Sequence, residues 1–145
     1  MTANKSPGGF KALIVWQKAQ ELATEVVAEL ERLPRNRQSE AIGLQLLRSA
    51  GSVAANIAEG YGRYSAGAYR NHLSIARGSL FETESWIDLL SRTGYVSEET
   101  SSTMTAKCVE VGRLLTAMMR ALPRVPARRM SDEGATYTSL KKQIV

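Results

Sequence analysis

The stretch that most constrains the fold runs from Leu47 to Gly62, with the sequence LRSAGSVAANIAEGYG. Its apolar residues recur at alternating steps of three and four, the spacing of one helix face, and are Leu47, Ala50, Ala54, Ile57 and Tyr61. A polar stripe with the same steps consists of Ser49, Ser52, Asn56, Glu59 and Arg63. Glycine and alanine beside both stripes allow neighbouring helices to approach closely. The stretch therefore predicts a central helix with packing partners on several sides.

Three other segments carry the same apolar periodicity, and each is bounded by residues that start or stop helices. The predicted helices run from Ala12 to Leu33, from Asn36 or Ser39 to Gly62, from Ser65 to Gly94, and from Ser97 to Leu122. Short turns make successive helices antiparallel neighbours. The predicted fold is all-α, an antiparallel up-down-up-down four-helix bundle. Gly60 and Gly62 are expected to take positive φ at the second turn.

Several apolar residues lie off the main stripes of the second and third predicted helices. They are Ile42, Leu46, Val53, Phe81, Trp86 and Leu89. A small monomer that exposed all of them would be unusual. We therefore expect a second packing partner to cover these edges.

Length and composition set the class of protein. The 145 residues suit a single domain with its own core. Because Cys108 is the one cysteine, no intramolecular disulfide forms. No apolar run is long enough to span a membrane, and the first residues lack a signal-peptide pattern, so we expect a cytoplasmic protein. We divide the chain into a flexible leader (1–11), the bundle (12–122) and a basic, mobile tail (123–145).

The chain is basic, with a formal net charge of +5 and an isoelectric point near 9.6. Such a balance favours a polyanionic partner without proving one. Arginines recur along the predicted helices and into the tail, at Arg70, Arg77, Arg113, Arg120, Arg124, Arg128 and Arg129. Rows of this kind either follow phosphates or pair with glutamates such as Glu82, Glu84 and Glu110. Because no aromatic residues alternate with them, we expect contacts to the nucleic-acid backbone rather than to bases.

Catalytic and metal-binding patterns are weak. The glycine-rich GYGRYSAG follows a predicted helix rather than a strand and lacks GxGxxG spacing, so it is not a dinucleotide loop. Carboxylate-bridged metal sites in bundles use two Glu-x-x-His pairs, whereas this chain has only His72, which we place at a surface or interface. Cys108 lies on an apolar stripe, and no nucleophile has a recognisable base. We predict no enzyme, no cofactor and no metal.

The polar stripe on the second helix is interpreted as a structural network with the third. Its predicted members are Arg48, Ser49, Asn56, Glu59, Arg77, Ser79 and Glu82. In this interpretation Arg48 or Arg77 neutralises a buried Glu59, because an unpaired buried carboxylate is costly. The rival interpretation, a hydrolase or metal enzyme that uses Glu59 and Glu82, has few acids, bases and ligands to support it.

Several motifs together resemble a known family. They are LRSAGSVAANIAEGYGRYS, LSIARGSLFETE, the pair Gly94 and Tyr95, and EVGRLL from Glu110. In this order they resemble the four-helix bundle proteins encoded in ribosomal-RNA (23S) intervening sequences, over about Val15 to Leu122. The resemblance implies a barrel-like homopentamer. It also implies kinship with the accessory variability determinants of diversity-generating retroelements, whose basic barrels bind nucleic acid and a reverse transcriptase. Ala68 departs from the family, in which an acid often precedes the tyrosine of the third helix.

Two functional hypotheses follow from the sequence. In the first, a non-enzymatic homo-oligomeric bundle associates with structured RNA or DNA by backbone contacts. In the second, the bundle is a protein-protein interaction scaffold, and its basic charge is incidental.

Overall fold

The structure is a computed structural model that describes residues 8–124. In this part of the chain all regular structure is helical, with a 3₁₀ turn at Gly9–Ala12 ahead of four long helices. These are α1 (Ile14–Arg32), α2 (Arg37–Tyr61), α3 (Ala66–Arg92) and α4 (Glu98–Ala121). The all-α, four-helix prediction is confirmed for these residues.

Side-chain caps fix where three of the helices begin. Asn36 Oδ1 accepts a hydrogen bond from Ser39 N at 2.9 Å, and Ser65 Oγ accepts one from Ala68 N at 3.1 Å. Ser97 Oγ does the same for the backbone of α4. Each cap satisfies one of the amide hydrogens that a helix start leaves free. The caps lie at the positions that the sequence indicated.

The four helices enclose one hydrophobic core. α1 packs against α2 and α4, and α3 packs against the same two helices, with the most extensive contact between α2 and α3. The largest fully buried side chains include Leu22, Leu46, Ile57, Tyr69, Leu73, Leu80, Ile87 and Leu115. Burial of a side chain of this size contributes roughly 1.5–3 kcal/mol to folding.

Gly60 and Gly62 do not take the positive φ that the sequence predicted. Gly62 has a φ of −76°, and Gly60 is an ordinary residue of the last turn of α2. A Cβ at Gly60 would lie 2.8 Å from both His72 Cβ and Tyr69 Cδ2. Gly60 is thus required because α3 passes very close to it. A positive φ of 79° occurs instead at Gly94, in the turn that follows the end of α3.

The off-stripe apolar residues are mostly covered within the protomer, contrary to the expectation that a partner covers them. Leu46 and Val53 are fully buried, Trp86 is partly buried, and Phe81 stays 51% exposed. The reason is that α2 contacts α1 on one side and α3 on the other, so its buried face is broader than one stripe. Leu47, predicted to lie in the core, is 36% exposed at the edge of this face.

Helical structure begins before the predicted start at Ala12. The 3₁₀ turn starts at Gly9, and the Phe10 ring packs edge-on against Trp16 with centroids 5.3 Å apart. The rest of the predicted leader, residues 1–7, lies outside the described residues, and so does the predicted tail after Arg124.

Candidate nucleic-acid interface

Hydroxyl and amide side chains form a polar ladder between α2 and α3. Its contacts are Thr83 Oγ1 to Ser49 Oγ at 2.9 Å, Ser52 Oγ to Ser79 Oγ at 3.0 Å, and His72 Nδ1 to Asn56 Oδ1 at 3.2 Å. The Asn56 amide also donates to the Ser52 carbonyl at 2.8 Å. Buried polar groups with partners of this kind help to fix which helices pair and in which register. The ladder is therefore part of the α2–α3 packing.

The ladder ends at the α2–α3 turn in a small charged cluster. Arg63 donates from Nε to His72 Nε2 at 3.0 Å and from Nη2 to Glu59 Oε1 at 3.1 Å. Since His72 Nε2 accepts, its Nδ1 carries the hydrogen that faces Asn56. The Glu59 side chain is 54% exposed, so it is not the buried carboxylate that the sequence predicted. Its cation is Arg63, four residues further along α2, rather than Arg48 or Arg77.

The predicted network and the observed ladder overlap in part. The structure brings together Ser49, Asn56, Glu59 and Ser79, and adds Ser52, Arg63, His72 and Thr83. Arg48 and Glu82 lie exposed and form no ion pair within residues 8–124. Thr83 lies on the buried face of α3, between the apolar residues Leu80 and Ile87. Only the inter-helix register, which places it beside Ser49, identifies its polar role.

A groove between α3 and α4 collects three of the predicted arginines. Its cavity volume is about 370 Å³, and its walls include Arg77 from α3 with Arg113 and Arg120 from α4. Arg113 and Arg120 are seven residues apart, so they project from the same face of α4. The sequence identified each of these arginines as a candidate contact to nucleic acid. The packing of α3 against α4 is what places all three around the same groove.

No carboxylate neutralises these three guanidiniums in the part of the chain that the structure describes. Glu110, an expected partner, lies instead 3.6 Å from the Lys18 ammonium. The pairing of the arginines with Glu82, Glu84 and Glu110 is thus not found. Three unpaired cations outweigh the one carboxylate that lines this groove, Glu84, and the excess positive charge attracts anions.

Arg70 has a different role from the other arginines of the predicted rows. Its guanidinium donates to the carbonyl oxygens of Met119, Leu122 and Pro123, the contact to Leu122 measuring 2.7 Å. These carbonyls are left free at the C-terminal end of α4, where a cation is also favoured by the helix dipole. Arg70 therefore connects α3 to the end of α4 by hydrogen bonds. It does not belong with the arginines that are available to contact nucleic acid.

The remaining predicted arginines lie beyond α4. Arg124 is exposed just after the helix. Arg128 and Arg129 lie outside the described residues.

The groove also holds an exposed aromatic ring. Phe81 is 51% exposed, and the Arg77 Cζ atom lies 5.1 Å from the centroid of its ring. Val109, 42% exposed, lines the same groove, together with Gly112. The sequence reasoning missed this surface because Phe81 and the α4 arginines belong to different helices. An arginine over an aromatic ring is a favourable cation–π arrangement.

Two titratable groups line the floor of the groove. Burial raises the pKa of the Glu84 carboxyl above its ordinary value. Burial, with a smaller contribution from Glu84, raises the pKa of the Cys108 thiol to about 12. Cys108 is fully buried. A thiol with this pKa stays protonated at neutral pH and is a poor nucleophile.

The raised pKa of Glu84 predicts how a Glu84→Gln variant behaves. Below about pH 4.5, the ordinary pKa of a glutamate, the Glu84 carboxyl is neutral in both the folded and the unfolded protein. Folding then removes no charge at this position from water. As pH rises through the folded pKa, the wild-type protein gains a partly desolvated charge and loses stability that the glutamine variant keeps. Thermal melts at about pH 4 and about pH 7.5 should therefore show the variant gaining on the wild type only at the higher pH. If the difference in melting temperature between the variant and the wild type were the same at both pH values, the Glu84 carboxylate would be fully solvated.

Another groove, between α1 and α4, is occupied by its own charge pairs. Lys107 pairs with Glu25, and Arg32 pairs with Glu29 at 2.8 Å. Within residues 8–124 no group of three or more histidine, cysteine or acidic residues is placed to hold a metal ion. The helices of this region include none that is both long and apolar enough to cross a membrane.

Comparisons with known proteins add a family and a fold. A family model described as 23S rRNA-intervening sequence protein matches residues 11–117. A crystal structure of a protein with unknown function from the S23 ribosomal protein family of Bacteroides thetaiotaomicron is 31% identical, with a TM-score of 0.70. The match covers 74% of this chain and 99% of that one. No curated protein matches.

Proposed function

Since the chain belongs to the 23S rRNA-intervening sequence protein family, we propose that it is a non-enzymatic bundle that binds the phosphate backbone of nucleic acid in the α3–α4 groove. The observation that carries the proposal is the set of three unpaired guanidiniums there, of Arg77, Arg113 and Arg120. Most protein contacts to nucleic acid go to phosphate and sugar, and arginine is well suited to phosphate.

The spacing of the two α4 arginines suits this role. Seven residues of helix separate their Cα atoms by about 10 Å along the axis. At this separation the two side chains can contact two different phosphates of one strand, with Arg77 facing them from α3. An isolated small anion would use only part of this arrangement.

Fluorescence anisotropy of the whole chain with a labelled RNA hairpin and a duplex DNA tests the proposal. At about 50 mM salt we expect binding in the micromolar range or tighter, and a steep loss of affinity at about 200 mM because bound counterions are released. Preference between the ligands then identifies the polymer. Absence of binding to both at the lower salt would contradict the proposal and favour a protein-binding scaffold.

A second proposal concerns assembly. The order of the ladder contacts, in which Ser49, Ser52 and Asn56 meet Thr83, Ser79 and His72, supports antiparallel α2 and α3 and an up-down-up-down bundle. Val27, Leu44 and Leu47 are exposed apolar side chains, and both leucines follow Gly43 within about one turn of α2, where Gly43 faces Leu30 of α1. We propose that this apolar strip contributes to a homo-oligomer, which in this family we expect to be a pentamer. A monomer mass of 15.9 kDa by light scattering would contradict it.

A further inference from the structure

The end of the α3–α4 groove away from Arg120 is a small slot with an aromatic wall. Phe81 supplies a half-exposed ring from α3, and Val109 lies opposite on α4. Gly112, which also lines the groove, contributes no side chain to this wall. The slot is thus apolar and open, whereas most apolar side chains of this size on α3 are buried. Aromatic rings and guanidinium planes are the surfaces on which proteins stack unpaired bases.

Glu84 places a carboxylate at the same slot. It lies three residues after Phe81, so the two side chains project from neighbouring points on one face of α3. Although three arginines line the groove, the Glu84 carboxylate forms no ion pair with them or with any other cation among residues 8–124. Its two oxygens therefore remain free to accept hydrogen bonds from a bound molecule.

From this juxtaposition we infer, on the basis of the proposed function, that the groove holds one unpaired guanine of a bound RNA or DNA strand. The base stacks on Phe81 beside Arg77, and its Watson–Crick edge donates to Glu84. The flanking phosphates lie against Arg113 and Arg120. The volume of about 370 Å³ is within the range of small-ligand pockets, which begin at about 300 Å³.

Guanine is selected by its hydrogen-bond donors. Its Watson–Crick edge presents two adjacent donors, N1–H and the N2 amino group, which match the two oxygens of a carboxylate. Adenine and cytosine each place a ring-nitrogen acceptor beside their one amino group, and uracil flanks its single N–H with two carbonyl oxygens. Each of these edges would face the carboxylate with at least one lone pair, which repels it.

The inference is tested with short single-stranded polyuridine oligonucleotides that differ in one central base. The guanine oligonucleotide should bind about tenfold more tightly than those with adenine or with inosine, which lacks the N2 amino group. 7-Deazaguanine, changed only at the opposite edge, should bind like guanine. Glu84→Gln should abolish the guanine preference. Phe81→Leu should weaken binding of every oligonucleotide by about 5- to 100-fold and leave the salt dependence intact.

The outcomes separate this inference from the proposal on which it rests. Equal, salt-dependent affinity for the guanine and adenine strands would overturn the guanine assignment and leave backbone binding in place. So would a guanine preference that survives in Glu84→Gln, or binding of the RNA hairpin without binding of any single strand. Failure of the hairpin and of all strands to bind at about 50 mM salt would overturn both. Circular dichroism melts of the two variants establish that each is folded, which we expect because Phe81 is half exposed and Glu84 forms no ion pair within residues 8–124.

Discussion

Replacing Gly60 with alanine should make the protein less stable than the corresponding Gly51→Ala variant by about 1–3 kcal/mol. The new methyl group at position 60 would lie 2.8 Å from His72 Cβ, an atom that cannot move without its helix. At position 51 a Cβ meets nothing within 4 Å. Both changes gain the same helix propensity, about 1 kcal/mol, so the difference between them isolates the steric cost of separating α2 from α3.

Chemical denaturation of the two variants and the wild type measures this difference. We expect the Gly51 variant to match or exceed the wild type and the Gly60 variant to fall below the Gly51 variant. Gly43→Ala is a further control, because its Cβ would meet the flexible end of the Leu30 side chain at 2.9 Å, which can move aside. Equal stabilities for the Gly51 and Gly60 variants would mean that the close approach of α2 and α3 is not required.

The second large effect is expected from removing the charges of the groove. In a triple variant with glutamine at Arg77, Arg113 and Arg120, affinity for RNA at about 50 mM salt should fall by roughly one to three orders of magnitude. The slope of log K against log salt should lose about one for each arginine that contacts a phosphate. Because the three guanidiniums form no ion pair within residues 8–124, folding should be little changed.

A matched triple variant separates the groove from net charge. Glutamine at Arg35, Arg37 and Arg48 removes the same charge from exposed positions outside the α3–α4 groove. It should reduce affinity only slightly and keep most of the slope. If the two triple variants lost affinity equally, binding would depend on overall charge and the groove would have no special role.

The helices and their boundaries could be predicted because the signals for them are local. Asn36, Ser65 and Ser97 cap helices from positions that are readable in one dimension, and the steps of three and four mark each buried face. The width of a buried face was harder to predict. Leu46 and Val53 lie off the main apolar stripe of α2, yet both are buried. Their burial depends on how many helices contact α2, which is a property of the whole bundle.

The candidate site depended on information that the sequence does not contain. The register of α3 against α4 decides that Arg77 meets Arg113 and Arg120, whereas Arg70, one heptad before Arg77, meets the free carbonyls at the end of α4. Arginines at the same heptad position thus have different roles. Similarly, Thr83 differs from its apolar stripe neighbours only because Ser49 lies opposite it.

Cross-linking tests most directly where nucleic acid contacts the protein. RNA that contains 4-thiouridine would be bound to the full chain at low salt, irradiated, digested and mapped by mass spectrometry. The proposed function predicts adducts on the peptides of α3 and α4 that line the groove, around Phe81, Val109 and Arg113, and their loss in the triple variant of the groove. Adducts confined to α1 and the exposed face of α2, unaffected by that variant, would contradict the assignment of the α3–α4 groove as the binding site.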